Sequence, residues 1–421
     1  MTNTQSIDAE KAREFAVKTV EQLRAADFIS FWAGGCVRDH HLQVRPQDYD
    51  VATNAVPDEI RKLFGKQRTL AIGASFGVIT LIGSKEQGNI EIATFREDDS
   101  YTDGRRPDKI TFSTPAADAQ RRDFTINGMF LDPVTMETID YVGGLDDLNA
   151  RQIRAIGSPA ERFEEDKLRI FRAIRFATTL DFQIEQNTLD AVCRYVAQLH
   201  QVSRERILVE LVKMLSSEHR QRGVELLYKT GILPHVLPKT NLDGDAVNHL
   251  KLLLGKLPLN NTALTLAASY KTLTPGLSAK DVRRTIKSMK TSNEVAENAF
   301  WILKHVDQLI EANTQYWPTI QRTLIHPLLE DTLALATALV STNKTNPAGI
   351  QFCEEKLTSA EQDLNPPELL SGTDLIELGM KPGPAFSKVL KEVRDQQLLG
   401  KIDSTEQAVD LAKITYQSIE P

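Results

Sequence analysis

Apolar positions recur along this chain with two different periods, and the change falls near residue 150. Before it, helix and strand signals alternate. Residues 8–26 place Phe15, Val20 and Leu23 near one stripe of a helix. Residues 29–33 read as a buried strand broken by Gly34-Gly35, and 49–53 as a second short strand. Residues 57–64 suit a helix with Pro57 in its first turn. Residues 76–82 and 89–95 alternate like the arms of a β-hairpin joined by the turn-rich GSKEQG. Residues 97–108 are charged and lack an apolar period, which predicts a mobile loop. A last strand signal covers 138–142.

From Ser158 onward the pattern is helical. Ser158-Pro159-Ala160-Glu161 has the form of a helix start, with Ser as cap, Pro at the first position and Glu at the third. Phe163, Ile170, Phe171, Ile174 and Ala177 supply apolar positions along the segment that follows. Helical runs are predicted at about 185–200, 204–217, 220–230, 247–256, 279–290, 294–312 and 329–341, with Pro234, Pro238, Pro258, Pro275, Pro318 and Pro327 between them. Residues 364–367, LNPP, read as a boundary before a last helical unit.

The chain has 421 residues, which corresponds to two to four domains at roughly 100–200 residues each. No apolar run approaches the roughly 20 residues that span a bilayer, and the N-terminus lacks the apolar core of a signal peptide. Three widely spaced cysteines, Cys36, Cys193 and Cys353, form no metal knuckle or disulfide framework, which fits a reducing cytoplasm. The net charge of −7 argues against coating nucleic acid through bulk charge. A local basic groove in an RNA enzyme is compatible with it.

The chemistry concentrates in four places. In Gly34-Gly35-Cys36-Val37-Arg38-Asp39, the glycines let a strand turn tightly into a helix and leave N–H groups to face a phosphate. Asp48 and Asp50 are two apart in a predicted strand, so both carboxylates face one side, the arrangement two Mg²⁺ ions need to clamp a triphosphate and an attacking hydroxyl. By alternation alone Glu91 faces solvent. If its strand pairs beside Asp48–Asp50, it becomes a third carboxylate that binds metal or helps deprotonate a 3′-hydroxyl. Arg121-Arg122-Asp123-Phe124-Thr125-Ile126-Asn127 is dense in groups that grip phosphate and ribose, with a helix start capped by Asp123 as the alternative reading. Asp166 and Arg169, three apart on the predicted helix, share a face as a surface ion pair or as a base-like donor and acceptor edge.

These motifs together resemble the class II tRNA nucleotidyltransferase and bacterial poly(A) polymerase family. GGCVRDHHLQVRPQDYDVATNA resembles its first motif, RRDFTINGM its ribose-binding motif, EEDKLRIFRAIRFA its E-D-x-x-R motif, and Ser203-Arg204-Glu205-Arg206 its next helix start. The matches run in order over residues 28–230, and GMKPGPAFSKVLKEVRDQQLLGKI resembles the family's tail.

The resemblance implies an α+β fold with a polymerase-β-like nucleotidyltransferase head at 1–157. An all-helical neck at 158–230, a tRNA-binding body at 231–365 and a tail at 366–421 would follow. It implies Mg²⁺ on Asp48 and Asp50, with Glu91 at the third carboxylate position. It implies a nucleotide site of Gly34, Gly35, Arg38, Arg122, Asp123, Asn127, Asp166 and Arg169. Asp166 and Arg169 would be a protein template selecting CTP and then ATP for addition of CCA to tRNA. Arg105, Arg106, Arg204 and Arg206 are expected on a basic RNA-facing surface. Asp103-Gly104-Arg105-Arg106-Pro107 stands at the family's flexible loop, and no appended phosphohydrolase domain is expected. His40 and His41 are expected at the helix surface or near phosphate.

Two alternatives stay open at this stage. One is a poly(A) polymerase or a partial enzyme adding only CC or only A. The other is an inactive RNA-binding homologue. A dinucleotide site is disfavoured, because Gly34-Gly35 lacks the third spaced glycine. The partners expected are tRNA, CTP and ATP, with no membrane and no obligate protein partner.

Overall fold

The computed structural model describes residues 7–46, 48–98, 110–240 and 243–419. The chain divides into two compact units, Met1–Pro238 and Lys239–Pro421. No single helix among the described residues is long and apolar enough to cross a membrane.

The first unit opens with helix α1, Ala9–Ala25, capped by the Asp8 carboxylate, which accepts from the Glu10 and Lys11 amides. Phe15, Val20 and Leu23 are all buried, as the helical period predicted. The sheet is built from β1 (Ser30–Ala33), β2 (Asp50–Thr53), β3 (Thr69–Leu70), β4 (Val78–Ile82), β5 (Asn89–Thr94), β8 (Phe130–Leu131) and β9 (Thr138–Ile139) in the order β3-β4-β5-β2-β1-β8-β9. β4 and β5 form the predicted antiparallel pair. β2 and β5 are parallel, with Asp50 opposite Glu91. Helix α2, Gly35–His41, leaves β1 directly, and α3, Pro57–Phe64, carries Pro57 in its first turn.

Three expectations change in this unit. The residues on either side of 99–109 are paired strands, β6 (Arg96–Asp98) and β7 (Ile110–Phe112), so 97 and 98 are not loop. Residues 99–109, including the 103–107 motif, lie outside the described residues. The strand expected over 138–142 stops at Ile139, because the Asp140 carboxylate accepts from the Val142 and Leu145 amides and turns the chain into α5, Gly144–Asn149. The segment after Ser158 is two helices, α6 (Pro159–Glu165) and α7 (Leu168–Thr179), with Asp166 between them in an extended conformation at φ −144° and ψ 106°. Asp166 starts the second helix by accepting from the Leu168 amide at 3.0 Å. Ser158 holds the cap position of α6 without a side-chain cap bond.

The remaining elements of the unit are α4 (Pro115–Gln120), the parallel two-residue strands β10 (Gln152–Ile153) and β11 (Gln183–Ile184), and helices α8 (Gln186–Tyr195), α9 (Arg204–Leu215) and α10 (Arg220–Lys229). Phe163, Ile170, Phe171, Ile174 and Ala177 are fully buried, so the apolar pattern holds across the break at Asp166.

The second unit is helical among its described residues. Thr262–Leu273, Trp317–Leu324 and Ala348–Leu357 are helices that periodicity did not mark. Thr262–Leu273 buries residues on every face, including Leu264, Ala267, Ala268 and Tyr270, so it has no polar stripe to reveal its period. Pro318 sits in the first turn of its helix, where a missing N–H costs nothing, rather than between helices. Leu375, Val389, Val393, Ala408 and Ala412 form a separate apolar cluster in the last part of the chain.

Candidate active site

The turn from β1 to α2 sets the floor of the site. Gly34 has φ +73° and ψ −130°, a conformation that glycine adopts freely. A Cβ there would meet Arg122 Nη1 at 3.4 Å and Asp50 Oδ2 at 3.7 Å, so the glycine lets both charged groups lie against the backbone. These residues help to line a cavity of about 510 Å³ within the first unit. Of the eleven residues singled out from the sequence, only Glu91 is absent from its wall.

Asp50 begins β2, and Asp48 precedes the strand rather than sharing it. Both still face the cavity. Glu91 stands on β5 in register with Asp50. Burial pushes the Asp50 carboxyl up, and the charges of Asp48 and Glu91 push it further, to about 7, against the pull of Arg122. Among the described residues no three His, Cys, Asp or Glu side chains gather at metal-binding distance. Asp48 and Asp50 face the cavity two residues apart. That set fits Mg²⁺, which is commonly held by one or two carboxylates with phosphate oxygens and water completing the shell.

The rest of the lining is built from charge pairs. Asp118 is 1% exposed and holds two arginines, Arg121 through Oδ1 at 2.9 and 2.6 Å and Arg122 through Oδ2 at 3.2 and 3.0 Å. Arg38 donates to Asp39 and, at 2.8 Å, to the Asn127 side-chain carbonyl. Asn127 in turn donates to Asp123 at 3.3 Å. Asp123 also accepts from Arg172 at 2.8 Å and from the Phe124 amide at 2.8 Å. Burial pushes its carboxyl up, but Arg172 and Arg169 outweigh this and hold it down at about 2. Asp123 thus serves as an anion in a cationic setting, not as a helix cap.

The break between α6 and α7 separates Asp166 from Arg169, so the two do not share a helix face as the three-residue spacing suggested. Both line the cavity nonetheless. Arg206 on α9 grips Asp166 through two bonds of 3.0 and 2.6 Å. Arg169 donates to Glu165 at 2.5 Å, to the Arg162 carbonyl at 3.2 Å and to the Arg121 carbonyl at 2.8 Å. Each is oriented by its own partner. Arg206 is therefore committed to Asp166, not spread on an open basic surface, and Arg204 donates to the His235 carbonyl at 2.7 Å.

Sequence reasoning missed several members of the site. Glu210 is 5% exposed and accepts from Arg175 at 2.7 Å, with Arg172 at 3.5 Å. The Arg175 guanidinium stacks on the Phe176 ring 3.4 Å from its centroid. Arg172 and Arg175 follow Arg169 at intervals of three, a helical stripe of like charge that was a legible signal. Asp118, three and four residues before Arg121 and Arg122, was another. Glu210 had no local signal. His40 and His41 lie outside the cavity wall, with His41 bonded to Thr138 at 2.8 Å. Burial pushes the Cys36 thiol up to about 12, which keeps it un-ionised.

Residues 30–154 match the model of the Poly A polymerase head domain. Residues 181–243 match the "Probable RNA and SrmB- binding site of polymerase A", and 264–412 match tRNA nucleotidyltransferase domain 2. The chain is 34% identical to a CCA-adding enzyme of Lactococcus lactis over 94% of its own length and 95% of the relative's. It is 31% identical to one of Levilactobacillus brevis, over 94% and 96%. Its fold matches a Bacillus stearothermophilus CCA-adding enzyme in complex with CTP, with a TM-score of 0.76, 23% identity and coverage of 97% and 98% of the two chains. It also matches a Thermotoga maritima CCA-adding enzyme complexed with tRNA, with a TM-score of 0.68, 20% identity and coverage of 99% and 97%.

Proposed function

Because the chain belongs to the CCA-adding enzyme family of nucleotidyltransferases, we propose that it adds C, C and A to the 3′ end of tRNA from CTP and ATP, with Mg²⁺ as its metal. The observation that carries this reading is the single cavity. It joins the carboxylates Asp48 and Asp50 to an aspartate and an arginine that are each ion-paired to a neighbouring side chain.

In the proposed reaction the RNA 3′-hydroxyl attacks the α-phosphorus of the bound nucleotide, a phosphodiester forms, and pyrophosphate leaves. Asp48 and Asp50 would hold Mg²⁺, which neutralises charge on the reacting phosphate. Burial and its acidic neighbours raise the Asp50 carboxyl to about 7, so a bound cation would favour its ionised form. Glu91, in register beside it, completes the acidic set. Arg38 and Arg122 face the phosphates across Gly34-Gly35, and Asp123 and Asn127 face the ribose. Asp166 offers acceptors and Arg169 donors to the base, so that side chains rather than a nucleic-acid strand select C and A. Arg206 fixes the Asp166 carboxylate in one orientation.

In this reading residues 1–157 are the catalytic head, 158–230 the neck carrying the template, and 231–365 and 366–421 the body and tail that hold tRNA. The cytoplasm is the place of action.

Three tRNA transcripts, ending before CCA, after C and after CC, test the reading when offered CTP, ATP or both. Sequenced products completed to CCA from all three are expected. Products limited to CC, to a single A or to an A tail would replace the reading with a partial enzyme or a poly(A) polymerase. No product with any transcript would leave only RNA binding.

A further inference from the structure

Eight cationic side chains line the cavity. Seven are arginines, and each has a carboxylate partner: Asp39 for Arg38, Asp118 for Arg121 and Arg122, Glu165 for Arg169, Asp123 for Arg172, Glu210 for Arg175 and Asp166 for Arg206. The eighth is Lys213, which is exposed and makes no ion pair or hydrogen bond among the described residues. Lys213 is thus the one cation of this lining without a carboxylate partner among the described residues, and its ammonium is free to meet an incoming anion.

The position follows from helix geometry. Arg206, Glu210 and Lys213 lie at intervals of four and three on α9, so they share one face. The pairs advance together along α7 and α9, from Asp166 with Arg206 to Arg172 and Arg175 with Glu210. Lys213 continues that line, about 10 Å along the helix from Arg206 at about 1.5 Å per residue. At the same end Arg38 and Arg175 both lie over the Phe176 ring, at 5.5 and 3.4 Å. A nucleotide with its base at Asp166 and Arg169 and its sugar at Asp123 and Asn127 directs its phosphates away from the base end.

We infer that Lys213 takes the terminal phosphate of the incoming nucleotide and so makes the site discriminate nucleoside triphosphates from diphosphates. The inference rests on the nucleotide orientation proposed above. A lysine suits the role, since its ammonium is a compact point charge with three donors on a flexible stem. It can follow a phosphate that must depart with the leaving group, where a forked and anchored guanidinium cannot.

The test is nucleotide binding without RNA, in Mg²⁺, to the full chain and to Lys213→Ala and Lys213→Arg. The wild type is expected to hold CTP more tightly than CDP. Lys213→Ala is expected to weaken CTP by about tenfold, the loss of one charge-assisted bond, and to leave CDP unchanged. Lys213→Arg should restore most of the preference, and tRNA affinity at fixed salt should be the same for all three proteins. Equal losses for CTP and CDP, or no loss for either, would overturn the assignment. A loss confined to tRNA affinity would overturn it too, in favour of an RNA phosphate. If the wild type bound neither nucleotide, the nucleotidyltransferase reading itself would fall, which the Lys213 variants alone cannot cause.

Discussion

The two walls of the cavity handle buried carboxylates in opposite ways. At one wall burial and the charges of Asp48 and of Glu91, which itself lies outside the lining, push the Asp50 carboxyl up to about 7. At the other, Asp123 is enclosed by Arg172 and Arg169 and held down at about 2, and Asp166 is locked by Arg206. Uncompensated charge is costly in a folded protein unless a ligand supplies the counter-charge. The first wall is therefore incomplete without a cation. At the second wall each arginine is paired with a carboxylate, which fixes the direction of each donor and acceptor. The difference separates a wall built to bind charge from a wall built to read shape.

The largest effect is expected at the first wall. Asp50→Asn should lower turnover by about 10³ or more, since it removes a carboxylate needed for electrostatic stabilisation of the transition state. It should also stabilise the protein. The folded-state value near 7 lies above the ordinary 3.8, so the stability tied to the bound proton is complete below 3.8 and lost as pH rises through 7. Asparagine escapes that loss. Thermal melts without metal should show a higher Tm than wild type at pH 8 and little difference at pH 4. A lower Tm at pH 8 would erase the contrast between the walls.

Next comes base selection. Asp166→Ala should reduce discrimination against UTP by about 1–3 kcal/mol, the worth of one good polar contact. Arg206→Ala should reduce it by a smaller factor, because Asp166 keeps its acceptors but loses its brace. Ratios of kcat/KM for CTP, ATP and UTP measure both. Unchanged ratios in active, folded variants would take the template role away from Asp166.

At the second wall Asp123→Asn should cost about 1.5–3 kcal/mol of stability at pH 7, because Arg172 loses its hydrogen-bonded carboxylate partner. The sign opposes that of Asp50. The stability from a depressed carboxyl is present above its ordinary 3.8 and lost as pH falls through about 2. Denaturation at pH 7 and pH 2 should show the variant and wild type converging in acid. The smallest effect is expected for Glu91→Gln. It removes one of the charges that raise Asp50, so the acid limb of the Mg²⁺-dependent rate profile should move to lower pH by less than about one unit. A shift to higher pH would mean that Glu91 does not act on Asp50.

Local chemistry was legible where it depended on neighbours in sequence. Pro57–Phe64, the β4–β5 pair and the Gly34 turn are where their residues predicted. Ten of the eleven site residues named from their motifs line one cavity, though the fold and not the spacing brings their four segments together. The reading failed where two local preferences competed. Spacing put Asp166 and Arg169 on one helix, but an aspartate that can accept from the Leu168 amide breaks the helix and starts another. It also failed where burial erased the polar face, as in Thr262–Leu273.

By itself the sequence determined which residues carry charge, where glycine frees the backbone, and the order of motifs that marks the family. The tertiary structure decided what those charges do. Asp50 and Glu91 become neighbours only because β2 and β5 pair in parallel, and Asp166 is oriented only because α9 brings Arg206 to it from 40 residues away. Electrostatic energy depends on distance and burial, and neither is written in the spacing of residues that meet from distant parts of the chain.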